Sequence, residues 1–252
     1  MDGALRDDID HGYQPYRRAW DPLRPDVVQL LEAAYHRHTE PIYYGSNHTF
    51  LVTLDAGEAG ESLGVYKPAR GEYPLYDFAQ GSLYRREVGS YLVDWALGWN
   101  LVPPTVVSDG AYGTGSLQLF IEATNRSEIE VSELLRLALL DILLNNADRK
   151  AEHCLLTKTG KLWAIDHGLT FHVQPKLRTI LWHFAGTRIP VEERTDLKRL
   201  SNELEECSTP QTESLRKLIT LGEWRALVHR VKRLLDTGRF PDPRYKAVPY
   251  RW

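Results

Sequence analysis

The spacing of apolar residues changes period near the middle of this chain. Asp26 stands where it can cap a helix running to about His38, with Val27, Leu30, Leu31, Ala34 and Tyr35 along one face. From Ile42 the repeat shortens to that of strands, at Ile42–Gly45, Thr49–Leu54 and Leu63–Pro68, broken by glycines and acidic turn residues. Gly71–Gly81 mixes Pro74 with aromatics and keeps no period, which predicts a loop. Ser82 then opens a second helix to about Gly98, on which Leu83, Val88, Tyr91, Leu92 and Trp95 recur at helical spacing. Strands near Pro104–Ser108 and Leu117–Glu122 flank the turn-rich Asp109–Gly115.

After a polar connector, Ala123–Val131, the pattern turns helical. Ser132 begins a mostly apolar helix through Leu134, Leu135, Leu137, Ala138, Leu140 and Leu143 that ends near Asn145–Asn146. Two short strands, Cys154–Thr157 and Lys161–Ile165, are joined at Thr159–Gly160, and helices follow at Pro190–Glu206, Pro210–Leu221 and Glu223–Asp236. A strand-rich first half followed by a helical second half predicts an α+β protein of two lobes with a cleft between them. The expected division is an irregular N-terminal arm over 1–25, a strand-rich N-lobe over 26–122 and a helical C-lobe over 123–252.

Composition narrows the function without choosing it. The 252 residues are 42% hydrophobic and 26% charged, ordinary values for a folded chain. A net charge of −3 gives no cationic footprint for nucleic acid. Two cysteines rule out a disulfide-dense scaffold. The most apolar run, Leu134 to Leu144, is short and contains Arg136 and Asp141, so no transmembrane segment is predicted. The first residues are acidic and polar, unlike a signal peptide, and the expected location is cytoplasmic.

The chemistry concentrates in two acidic motifs. Asn145-Asn146-Ala147-Asp148-Arg149-Lys150 closes the apolar helix, and Ile165-Asp166-His167-Gly168 follows the second short strand. The first is also compatible with a plain helix terminus, where Asn accepts left-handed geometry and cations complement the dipole. Taken together, one carboxylate at a helix–strand junction can orient an attacking hydroxyl, and one after a hairpin can hold a metal that bridges phosphate oxygens. The first half supplies counterparts: Lys67 at the end of an apolar strand, and Glu87 on the next helix, the order of the ion pair that fixes a phosphate-contacting ammonium. Gly45-Ser46-Asn47-His48-Thr49 reads either as a phosphate-covering turn or as a simple hairpin. The apolar stripe Trp224, Leu227, Val228, Val231, Leu234 and Leu235 is expected to pack on its own core rather than on a membrane.

Six segments together resemble one family. Val65-Tyr66-Lys67-Pro68, Arg86-Glu87, Leu101-Val102-Pro103-Pro104-Thr105, the two acidic motifs and Leu177-Arg178-Thr179-Ile180-Leu181-Trp182 are similar to a bacterial family that looks like the phosphatidylinositol 3-/4-kinase superfamily, with distant similarity to HipA-type kinases. The resemblance implies an atypical kinase fold binding ATP and Mg²⁺ or Mn²⁺ between the lobes. Carried over residue by residue, Lys67 contacts the ATP phosphates, Glu87 holds Lys67, Asp148 is the catalytic carboxylate and Asp166 the metal ligand. Ser46 and Asn47 lie in the phosphate-covering turn, and Leu117–Glu122 leads into the segment that meets adenine.

Two positions depart from that pattern. His153 stands where kinase-like loops carry Asn, so it is either a nitrogen ligand better suited to Mn²⁺ or a packed residue beneath the loop. Lys150 replaces a His common in lipid kinases and is either a phosphoryl-stabilising cation or a surface lysine. The expected function is ATP-dependent phosphoryl transfer to an unidentified hydroxyl, on a protein or small molecule in preference to an inositol lipid. The alternative is a nucleotide-binding pseudokinase that acts through partners. Oligomeric state is left open.

Overall fold

The computed structural model describes residues 20–43, 47–124, 128–243 and 245–249. Of the expected N-terminal arm, residues 1–19 lie outside that set, and so does Ser46 of the expected phosphate turn.

Five antiparallel strands form the N-terminal sheet: β1 (Tyr35–Ile42), β2 (Thr49–Asp55), β3 (Glu61–Pro68), β4 (Thr105–Gly110) and β5 (Gly113–Leu119), in the order β1-β2-β3-β5-β4. In β2 every second residue, Phe50, Val52 and Leu54, is buried, the period that fixes which face meets a core. They pack with Tyr66, Val106, Leu117, Leu119, Trp20 and the short helix α1 (Val27–Ala33). Because side chains alternate along a strand, Tyr66 and Pro68 point into this core while Lys67 points to the opposite face. Gly115 pairs with Pro68, and a Cβ there would collide with the Lys67 carbonyl, so glycine is what lets β5 lie against β3 beside the lysine.

The helix expected through His38 stops at Ala33. Residues 35–42 instead pair with Asp55–Thr49 as an edge strand, irregular between His36 and His38, and Arg37 bridges Asp55 and Glu61. Local helical spacing lost there to cross-strand pairing. Asp26 does sit at the N-cap position but makes no cap bond; its carboxylate holds Arg24 at 2.6 Å. The strand expected at Leu117–Glu122 begins earlier, at Gly113, and ends at Leu119, because Asp109 and Gly110 pair with Thr114 and Gly113 and confine the turn to Ala111–Tyr112.

Helix α2 (Leu83–Leu97) closes on Gly98 in a left-handed conformation, φ 72°. Ser82 does not cap it; Glu72 accepts the Tyr84 N–H at 2.9 Å, so the cap comes from the preceding loop. This helix lies between β4 and β5 on one side and α4 (Val191–Glu206) and α5 (Pro210–Leu218) on the other. Its Val88, Tyr91, Leu92, Val93 and Leu97 therefore belong to the larger core, with α3 (Val131–Leu144) and α6 (Leu221–Thr237). The α6 stripe buries Trp224, Leu227, Val231 and Leu234 against that core, as its pattern predicts. A two-stranded hairpin, β6 (Cys154–Leu156) and β7 (Leu162–Ala164), stands between the two acidic motifs.

Candidate active site

At the end of α3, Asn145 adopts φ 55° and turns the chain back. Its amide donates to the carbonyls of His172 at 2.8 Å and Gln174 at 2.7 Å, and its oxygen accepts from Lys176 N at 2.9 Å. Asn146 donates to Asp141 at 2.9 Å and accepts the Asp148 N–H at 2.9 Å. The two asparagines thus build the turn on which Asp148 sits. Asp148 is half-buried, and the Lys150 ammonium lies 3.0 Å from its Oδ2. Burial raises the Asp148 pKa above the ordinary carboxylate range, against the pull of Lys150.

The β6–β7 hairpin returns the chain beside this turn, and the Ile165 N–H donates to the His153 carbonyl at 2.9 Å. Asp166 follows with φ 61°, a left-handed conformation that is costly for a residue with a Cβ. Glu87 explains how that conformation is held. Its Oε1 accepts from Lys67 Nζ at 2.5 Å, while its Oε2 accepts the backbone N–H of His167 at 2.8 Å. Lys67 Nζ also reaches Asp166 Oδ1 at 3.0 Å. One ammonium therefore joins strand β3, helix α2 and the second acidic motif.

The electrostatics follow from these contacts. Burial works against the Lys67 ammonium, but Asp166 and Glu87 outweigh it and raise its pKa. Lys67 in turn holds the Asp166 carboxyl well below the usual range, and His153 adds to that effect. His153 Nε2 lies 3.4 Å from Asp166 Oδ2. Burial lowers the His153 pKa, which favours the neutral imidazole that can ligate a metal. One ligand atom each from Asp148, His153 and Asp166 falls within a 4.8 Å span. Asp166 and the neutral His153 imidazole fit a single divalent ion there, with the Asp148 carboxylate beside it, and Mn²⁺ accepts the nitrogen more readily than Mg²⁺. His153 Nδ1 is buried without a partner among the described residues, while Nε2 is the ring nitrogen that lies toward Asp166.

Lys67, Glu87, Asp148, Lys150, His153 and Asp166 are thus brought together from four separate stretches of the chain. Asn47 is placed differently: its side-chain oxygen accepts the Tyr73 N–H at 2.7 Å, tying the β1–β2 turn to the loop after β3.

Three further residues escape the reading of sequence. Arg149 is fully buried and pairs with the equally buried Asp141 of α3, Nη2 to Oδ1 at 3.0 Å. Its guanidinium also donates to the Ile165 carbonyl at 3.1 Å and to His167 Nε2 at 2.7 Å. Burial and the adjoining Arg149 push the His167 pKa well down, so that ring accepts as a neutral group. The available signal was Asp141 itself, an acid inside an apolar helix, which demands a buried cation.

The arrangement is that of a kinase-like α+β fold. A Golgi casein kinase solved with Mn/ADP bound superposes with a TM-score of 0.59 at 14% identity, over 87% of this chain and 80% of that one. Residues 112–230 match the family model described as Phosphatidylinositol 3- and 4-kinase. Protein Rv2133c of Mycobacterium tuberculosis is 34% identical over 270 residues, 90% of this chain and 96% of that protein. Phosphatidylinositol 4-kinase gamma 4 of Oryza sativa subsp. japonica is 35% identical over 108 residues, 33% of this chain and 19% of that protein. The chain belongs to a bacterial family of phosphatidylinositol 3-/4-kinase-like proteins.

Proposed function

We propose that this protein is an ATP-dependent phosphotransferase acting on a hydroxyl acceptor, on a protein or small molecule in preference to an inositol lipid. The observation that carries the reading is Lys67 held between Glu87 and Asp166 beside a three-ligand cluster. In this reading the N-lobe covers 26–122 and the C-lobe 123–252, and the segment after β5 receives adenine. The Lys67 ammonium leaves Asp166 for the ATP phosphates while Glu87 keeps hold of it. Asn47 contributes to covering the phosphates, the role also proposed for Ser46.

Asp166 and His153 hold the divalent ion, which when bound supplies positive charge to the phosphate oxygens. Asp148 orients the acceptor hydroxyl and takes its proton, a task suited to a carboxylate whose pKa burial has raised. Lys150 balances charge on the transferred phosphoryl group. His153, in place of an amide oxygen, favours the second reading, a pseudokinase that binds nucleotide and signals without turnover.

Incubation with γ-labelled ATP and Mn²⁺ or Mg²⁺, following label on protein, lipid, small molecules and released phosphate, tests the choice. Label transfer that Asp148→Asn abolishes supports the enzyme. Tight nucleotide binding with no transfer and no hydrolysis in either metal supports the pseudokinase. Absence of nucleotide binding overturns both.

A further inference from the structure

The C-terminal segment makes contacts that the proposed chemistry does not use. After α6 the chain runs back along residues 186–189. The Ile189 N–H donates to the Gly238 carbonyl at 2.9 Å, Phe240 N to Thr187 O at 3.0 Å, and Gly186 N to Phe240 O at 3.3 Å. Phe240 is buried and stacks on Phe184, centroids 5.6 Å apart. Beyond it, the Ala247 carbonyl accepts two donors, Thr179 N at 3.3 Å and Trp182 Nε1 at 2.7 Å.

Thr179 is a junction. It is buried, it forms a parallel bridge with Arg149, and its hydroxyl donates to Asp141 at 3.3 Å. The Arg149 N–H donates to the Arg178 carbonyl at 3.1 Å, and the Arg178 N–H to the Asn146 carbonyl at 2.9 Å. Three short segments therefore lie side by side: the Asn146–Arg149 turn carrying Asp148, then Arg178–Thr179, then Ala247. The innermost is the proposed catalytic turn; the outermost is the end of the described chain.

We propose that the segment 245–249 is a strap that positions the catalytic turn, with Thr179 and Trp182 as the positioning residues through which it acts. The inference rests on the phosphotransfer reading for its effect on rate, but its structural half stands apart. The physical reason is that Asn146–Arg149 is a turn, with no ladder of its own to fix it. Its placement comes from Arg178–Thr179 on one side, from the Asp141–Arg149 pair beneath, and from the Ala147 N–H, which donates to the Leu169 carbonyl at 2.9 Å. Of these supports Arg178–Thr179 is the one the strap backs, and displacement of a catalytic group by about 1 Å can cost about a hundredfold in rate. The Lys67–Glu87 pair is anchored by β3 and α2 and makes none of these contacts. Loosening the strap should therefore lower turnover and spare nucleotide binding.

The test compares the full chain with a chain ending at Pro243 and with the milder Trp182→Phe, which keeps an aromatic group, though a smaller one, and removes one donor. Both retain Phe240 in the core. Hydrogen exchange is read at Arg149 and Arg178, whose amides keep their own acceptors in both variants. Faster exchange there reports lost order passed inward and not simply a lost partner. Alongside, Mn-ADP affinity is measured by calorimetry and turnover as phosphate released from γ-labelled ATP. The expected result is faster exchange at both amides, Mn-ADP affinity within about twofold of the full chain, and kcat lower by roughly tenfold for the truncation and threefold for Trp182→Phe.

Unchanged exchange at Arg149 and Arg178 overturns the strap, and so does faster exchange with unchanged kcat. If the full chain binds Mn-ADP but shows no turnover, the phosphotransfer reading fails, while the exchange result still decides whether the tail orders the turn.

Discussion

Two ion networks lie back to back in this protein, built from neighbouring residues. Asp148 and Asp166 are partly exposed and gather with Lys67, Glu87, Lys150 and His153; the very next residues, Arg149 and His167, are buried with Asp141. The Asp166 carboxylate is 45% exposed and Lys67 25%, whereas Arg149 and Asp141 are both at 0%. The difference teaches what each network is for. Lys67 and Asp166, partly open to solvent, can change partners at smaller cost than Arg149 and Asp141, which are sealed from water, although Glu87 and His153 of the outer network are themselves buried. The inner pair therefore fixes geometry, and the proposed exchange of partners for ATP and metal falls to the outer one.

The sharpest way to break this contrast is to remove one inner partner. Asp141→Ala leaves a guanidinium buried without its carboxylate, and urea unfolding should show a loss of about 3–5 kcal/mol. A loss under about 1 kcal/mol would mean that water reaches Arg149, and the distinction between the networks would fall.

Lys67→Ala, in the outer network, should lose less stability than Asp141→Ala, because the buried Glu87 keeps the His167 N–H, and should bind Mn-ATP roughly 10- to 100-fold more weakly, about 1.4–2.8 kcal/mol. Calorimetry beside urea unfolding separates the two effects. Equal nucleotide affinity in the folded variant would remove Lys67 from the site.

Asp94 offers a third kind of carboxylate, buried in α2 and accepting the N–H groups of Leu101 at 2.8 Å and Val102 at 2.9 Å, with Oδ1 unpartnered among the described residues. Burial without a close cation raises its pKa to about 7, against 3.8 ordinarily. The folded state then holds a proton that the unfolded chain has released. Stability from this group is complete below about pH 4 and is lost as pH rises toward about 7, at up to ~1.4 kcal/mol per unit. Asp94→Asn should flatten that slope between pH 4 and 7, read as the difference between two urea titrations. Parallel slopes would show that Asp94 is ionised in the fold.

The smallest expected effect sharpens the comparison at its edge. His153 lies between the networks, its Nε2 toward Asp166 and its carbonyl toward Arg149. His153→Asn should shift metal preference several-fold from Mn²⁺ toward Mg²⁺ by replacing a ring nitrogen with an amide oxygen. Metal titrations monitored by nucleotide affinity check it. An unchanged Mn²⁺/Mg²⁺ ratio would assign His153 to packing alone.

Much of this was legible in the chain. The period-two run of Thr49–Asp55, the apolar helix Val131–Leu144 and the stripe of α6 each declare their element, because burial on one face needs only local spacing. The proximity of Lys67, Glu87, Asp148 and Asp166 agrees with their residue type and order along the chain, since Lys67, Asp148 and Asp166 lie near the ends of elements that meet. Local spacing did not decide Tyr35–His38, where pairing with β2 outweighs the continuation of a helix. It also could not tell Arg149 from Lys150. Both follow Asp148 as cations, but the turn directs one to Asp141 in the core and the other back to Asp148.

Contacts within a few residues settle most of the elements, though not β1, together with the chemical inventory and its order. Tertiary packing is what brings Glu87 to Lys67 and the His167 amide at once, makes Arg149 an internal clamp, and carries Ala247 to Thr179 and Trp182. Each of those pairs groups far apart along the chain, and a hydrogen bond depends on distances of a few tenths of an ångström that no local pattern encodes.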